Sequence, residues 1–162
     1  MSQIGFAHLI FAFAALVSGA FVLLRPKGTL SHKRVGYFYA FCMIGLNGTA
    51  LLIYRLFRRP GPFHVLAAVS LATLLAGLFP ALRRRPGWLE RHYRLMAWSY
   101  VGLCAAALAE IAVRMPFIRS TGWRFGIAAF TASALVAITG GRVIERRRKS
   151  VLAAVLKAPP LF

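Results

Sequence analysis

Five apolar stretches run through this chain, at about residues 4–24, 35–54, 63–82, 95–113 and 124–140, each near the about 20 residues a helix needs to cross a bilayer. Hydrocarbon offers an open backbone amide no partner, so every crossing has to be helical. Of the 162 residues 59% are apolar, and the only acids are Glu90, Glu110 and Glu145. That composition excludes an ordinary soluble domain. The expected fold is an all-α integral membrane protein of five transmembrane helices, in which a four-helix core of two related hairpins is joined by a fifth helix. The fifth stretch is the shortest and contains Gly126, which makes it the weakest span. A single transmembrane domain is expected over residues 1–145, followed by a basic tail over residues 146–162.

A formal charge of +18 would suggest nucleic acid in a soluble protein, so the placement of the cations decides its meaning. Fifteen of the 21 Lys and Arg residues fall in the first loop, the third loop and the tail: Arg25, Lys27, Lys33, Arg34, Arg83, Arg84, Arg85, Arg91, Arg94, Arg142, Arg146, Arg147, Arg148, Lys149 and Lys157. The other six, Arg55, Arg58, Arg59, Arg114, Arg119 and Arg124, belong to the alternate loops. From this asymmetry an N-terminus outside and a C-terminus in the cytoplasm are expected, as in a bacterial inner membrane. Anionic lipid head groups are then the natural partner, and no aromatic and basic platform outside the membrane supports nucleic-acid binding. Residues 1–7 carry no cation and the first stretch ends in Arg25-Pro26-Lys27, so no cleavable signal is expected. Val151 to Leu156 would lie on the membrane surface or fray. Cys42 and Cys104 fall inside apolar stretches and read as small buried hydrophobes.

The four histidines, His8, His32, His64 and His92, stand at the starts of four successive apolar segments. Ionisable residues at membrane depth are costly and mark candidate sites. A weak internal repeat relates them. His8, Gly19-Ala20-Phe21, Arg25-Pro26-Lys27-Gly28 and His32-Lys33-Arg34 recur in order as His64, Gly77-Leu78-Phe79, Arg84-Arg85-Pro86-Gly87 and His92-Tyr93-Arg94. Two hairpins related by an axis along the membrane normal would place His8 opposite His64 near one face and His32 opposite His92 near the other. At helical spacing, Ala12, Ala15 and Gly19 lie below His8; Gly36, Tyr39, Met43 and Asn47 below His32; Ala68, Leu71 and Leu75 below His64; and Met96, Ser99 and Ala106 below His92.

Paired imidazoles on facing helices are a common way to hold haem iron, and small residues beside them admit a flat macrocycle. Two b-type haems, one on His8 and His64 and one on His32 and His92, would make the chain a transmembrane electron carrier served by a quinol or another redox partner. Lys33, Arg34, Arg91 and Arg94 are placed to meet haem propionates, although the positive-inside asymmetry accounts for them equally well. No Cys-x-x-Cys-His is present, so haem would be held non-covalently. An alternative joins His8, His64 and Glu110 in an outward-facing site for zinc, copper or iron, serving a metalloenzyme or metal transport. Glu110 is equally well explained by an ion pair with Arg114 four residues on. A cofactor-free accessory subunit, within an oligomer or a larger membrane complex, is the remaining reading.

His8 with Gly19, the run Lys27-Gly28-Thr29 followed by His32, Gly36 and Tyr39, the pair Phe63-His64, and His92-Tyr93-Arg94 with Met96 and Ser99 resemble an uncharacterised family of small predicted membrane proteins, a domain of unknown function. The resemblance spans about His8 to Glu110 and implies a multi-helix integral membrane protein without implying a reaction. The layout of histidine pairs near both faces is similar to that of cytochrome b561-type proteins, with no sequence motif of theirs matched.

Overall fold

The computed structural model describes residues 2–53, 62–113 and 122–157. They form five helices: α1 (Gln3–Leu24), α2 (Leu30–Leu51), α3 (Pro62–Arg83), α4 (Trp88–Val113) and α5 (Gly122–Lys157). Local chemistry sets most of their ends. The Ser2 hydroxyl caps α1 by accepting from the Gly5 amide, and the Thr29 hydroxyl caps α2 by accepting from the His32 amide at 3.0 Å. The Lys27 ammonium donates to the carbonyls of Val22, Leu23 and Arg25, closing the end of α1. Burial, and secondarily the nearby Arg147, hold the Lys27 amine below the usual lysine range. Gly28 and Gly87 adopt φ of +79° and +74° in the turns that lead into α2 and α4, a backbone region glycine enters without strain.

Helices α1 to α4 close a four-membered ring of neighbours, α1–α2, α2–α3, α3–α4 and α4–α1, and α5 packs along the outside of α4. The expected four-helix core with an added fifth helix is therefore present. Its centre is a cluster of Ala15, Tyr39, Ala40, Cys42, Met43, Leu46, Leu74 and Leu103. Large apolar side chains also cover the outside: Phe13, Phe41 and Phe130 are 69%, 63% and 74% exposed. A water-soluble bundle would hide such a surface, whereas a bilayer accepts it.

Four helices, α1, α3, α4 and α5, are long and apolar enough to cross a membrane. The weakest is α2, which has the same length as α1 but carries Tyr37, Tyr39, Asn47 and Thr49 together with three glycines. The weak span is thus α2 and not the fifth stretch. Instead of a short segment over residues 124–140, α5 is the longest described helix at 36 residues. Its glycines do not stop it, because Gly140 and Gly141 lie where side chains of α4 approach. A Cβ at Gly140 would stand 2.5 Å from Val101, and one at Gly141 would stand 3.1 Å from Trp98. The helix continues through the basic stretch to Lys157, with Ile144 buried and Val151, Leu152 and Val155 half-buried, while Arg142, Arg146, Arg147 and Lys149 are exposed. Arg148 pairs with Glu90 at 2.9 Å, Arg94 pairs with Glu145 at 3.6 Å, and the Tyr93 hydroxyl donates to the Ile144 carbonyl at 2.9 Å.

The two hairpins use matching devices. Gly19 and Gly77 are both buried. Arg25 stacks over Phe21 at 4.7 Å and Arg83 over Phe79 at 5.0 Å. In each hairpin a glycine in the left-handed region then precedes the histidine-bearing helix. The α3 stripe departs from the sequence expectation: Ala67 and Leu74 face the core, while Ala68 and Leu75 point outward.

Candidate metal centre

His32 and His92 meet at the end of the bundle where α1 and α3 finish and α2 and α4 begin. The cap on Thr29 fixes the backbone of His32 in the first turn of α2. His92 lies in the second turn of α4, with Trp88 against its ring at 6.4 Å. Nδ1 of His92 donates to the Gly77 carbonyl at 2.9 Å. A carbonyl only accepts, so the proton of a neutral His92 sits on Nδ1 and Nε2 keeps its lone pair. Pro80 lies in the same turn as Gly77 and removes the amide that would otherwise bond to Ala76. Nδ1 of His32 is enclosed and makes no hydrogen bond.

The two rings stand with centroids 6.3 Å apart and planes at 87°. Metal–nitrogen bonds of about 2 Å let one ion reach both rings at this separation once a nitrogen of each is turned toward it. One turn below His32, a Cβ placed on Gly36 would meet nothing within 4 Å. The donor set therefore fits a metal held by two neutral imidazoles. One of them is already oriented through its other nitrogen by a backbone carbonyl, the usual support of a metal-ligating histidine.

Two turns deeper, the Tyr39 and Ser99 hydroxyls share a hydrogen bond of 2.8 Å, and both residues are buried. Tyr39 and Ser99 are 60 residues apart in the chain, the same separation as His32 and His92. The Tyr100 ring lies 6.3 Å from that of Tyr39, and its hydroxyl donates to the Leu16 carbonyl at 3.2 Å.

At the opposite end the histidines are arranged differently. His8 Nδ1 lies 3.0 Å from the Thr49 hydroxyl, which itself donates to the Gly45 carbonyl at 2.8 Å. Thr49 therefore accepts from His8, which places the proton on Nδ1 and the lone pair on Nε2. Glu110 is near enough to His8 to act on it electrostatically. His64 is in the first turn of α3, and α1 and α3 occupy opposite corners of the ring. The structure brings His32 and His92 together and sets His8 against Thr49. Among the described residues, no three His, Cys, Asp or Glu side chains gather at metal-ligand spacing. Arg114, the expected partner of Glu110, lies outside the described residues.

The cations beside the histidine pair divide between two tasks. Arg94 is engaged with Glu145, whereas Arg91 joins Gly87, Glu90 and Arg94 around a cavity of about 300 Å³. Sequence reasoning misses the partners that orient the histidines. The Gly77 carbonyl leaves no side-chain signature, and Thr49 is 41 residues from His8 on a different helix.

Residues 5–146 match the model of a family described as Predicted membrane protein (DUF2306). No curated protein and no solved structure matched the chain.

Proposed function

We propose that this chain, which belongs to that family of predicted membrane proteins, is an electron carrier of the membrane that holds a b-type haem between His32 and His92. The observation that carries this reading is the pair itself. His92 is locked by the Gly77 carbonyl in the tautomer that presents Nε2, and it faces His32, whose enclosed Nδ1 has no hydrogen bond. A buried polar atom left unsatisfied is destabilising unless something else completes it. Haem would supply a one-electron couple. The chain's role is to hold the two imidazoles across from each other, to keep their tautomers fixed and to exclude water with Trp88 and the packed layers beneath.

The full form of the proposal has five crossings, with the N-terminus outside and the C-terminus cytoplasmic, and a second haem on His8 and His64. The antiparallel packing of α2 between α1 and α3 and the asymmetry of the cations support the five crossings. The repeat supports the second haem, and the bond from His8 Nδ1 to Thr49 leaves Nε2 of His8 to meet it. Anionic lipids would meet the exposed arginines at the basic end, and a quinol or another redox protein would supply electrons.

The test is an optical spectrum of the detergent-purified protein, expressed with ample haem, oxidised and then reduced with dithionite. A sharp reduced α-band, with at least one haem per chain by pyridine haemochrome, is the expected result. A colourless protein overturns the reading.

A second reading, a divalent metal on His8 and Glu110, is favoured by the tautomer that frees His8 Nε2 and by the proximity of the carboxylate. Its signature is bound zinc, copper or iron that Glu110→Ala removes without any change in colour. Metal content unchanged by that substitution would exclude it.

A further inference from the structure

Helices α2 and α4 are the two that carry the histidine pair, yet they stand at opposite corners of the four-helix ring and make no close backbone approach among the described residues. Side chains, and not close backbone approach, therefore set their mutual distance. Side-chain contacts that cross that diagonal include the imidazole pair, the 2.8 Å hydrogen bond between Tyr39 and Ser99, and the ring contact of Tyr39 with Tyr100 at 6.3 Å. The hydrogen bond lies seven residues further along both helices, about 10 Å deeper at 1.5 Å rise per residue. Tyr39 is 2% and Ser99 3% exposed, so water does not compete for either hydroxyl. The Tyr39 ring is held from the side by Tyr100 and by Gly19, whose missing side chain makes room for both rings. A strut of this kind, buried and short, fixes how far α2 stands from α4 in the layer beneath the histidines.

We propose that Tyr39 and Ser99 are positioning residues, whose hydrogen bond sets the separation and mutual orientation of His32 and His92 and thereby the affinity of the pair for metal. This rests on the reading of His32 and His92 as a working pair. The hydroxyl contact gives the diagonal a defined length at a directional bond. Paired hydroxyls are also well suited to this position, because neither carries a charge into the apolar core.

The test uses the full chain in detergent micelles, with spin-labelled amino acids encoded at the exposed positions 34 and 91, so that pulsed electron–electron resonance reports the distance between the starts of α2 and α4. Tyr39→Phe keeps the ring and removes one oxygen, and Ser99→Ala removes the other partner. Each is expected to broaden or lengthen the distance distribution, with the double variant no worse than either single one. Ser99→Thr, which keeps the hydroxyl, is expected to restore it. In parallel, titration with zinc ions alone should show at least a tenfold loss of affinity in Tyr39→Phe and in Ser99→Ala, with Ser99→Thr near the parent. Helical content by circular dichroism should stay at the parent level throughout. Distance distributions that do not change in Tyr39→Phe and Ser99→Ala overturn the proposal. If His32→Ala leaves zinc affinity untouched in the parent, the pair reading fails separately, and the distances still decide the role of the strut.

Discussion

Gly19→Ala is expected to destabilise the bundle by about 3 kcal/mol, the upper end of what overpacking a filled core costs. A Cβ at this position would intrude on the Tyr100 ring and stand 2.9 Å from Tyr39. Neither ring can withdraw cheaply. Tyr39 is tied to Ser99 and Tyr100 to the Leu16 carbonyl, so the methyl group has to break a hydrogen bond, push neighbouring helices apart or both. Gly36→Ala is the matched control, since its Cβ would meet nothing within 4 Å. Removing a helical glycine there should be neutral or stabilising by up to about 1 kcal/mol. Denaturant unfolding in detergent micelles, followed by circular dichroism, measures both. A Gly19→Ala chain as stable as the parent would contradict the packing described for the tyrosine layer.

That layer also shows which features are legible in the sequence and which are not. Tyr39, Met43 and Asn47 fall on one stripe below His32 at helical spacing, and all three are buried. Ser99 falls below His92 and is buried as well. Counting at helical spacing from the histidines is enough to find these faces. The stripe below His64 fails because α3 is apolar on nearly every side, so its hydrophobicity does not distinguish a core face from a lipid face. Ala67 and Leu74 turn inward in place of the expected Ala68 and Leu75. The length of α5 escapes the sequence for a different reason. Gly126, Gly140 and Gly141 and the arginines after them read as a helix end, but close packing against Val101 and Trp98 and the Arg148–Glu90 pair carry the helix onward. Tertiary contact overrides local propensity there, which no reading of one chain segment by itself can show.

The histidines divide in the same manner. The repeat predicts that His32 and His92 share a depth, and the side chains do face each other. It predicts a shared depth for His8 and His64 as well, and His8 there has the Thr49 hydroxyl of α2 as a hydrogen-bond neighbour. A sequence repeat fixes depth along the membrane normal. It does not fix which diagonal of a four-helix ring is short, because that depends on the bulk of side chains in every layer, and here the α2–α4 diagonal is spanned by Tyr39 and Ser99.

Replacing His92 with alanine is expected to remove all cofactor bound at the basic end. The substitution takes away one ligand and also breaks the link from Nδ1 to Gly77 that holds the ligand in place. With one imidazole left, His32 would have to hold a non-covalent haem alone, and the haem would be lost in purification. His8→Ala acts at the other end of the bundle, where its partner is Thr49, and should leave the basic-end cofactor intact. Haem and metal content of the two variants, measured against the parent in the same detergent, separates these outcomes. Equal content in His92→Ala and the parent would show that the pair does not bind the cofactor, whatever else does.

The most direct measurement is electron paramagnetic resonance of the oxidised protein beside its His32→Ala variant. Haem held between His32 and His92 would give a low-spin ferric signal, present in the parent and absent from His32→Ala. A parent without any ferric haem signal after expression with ample haem, or one whose signal survives the loss of His32 unchanged, would contradict the account.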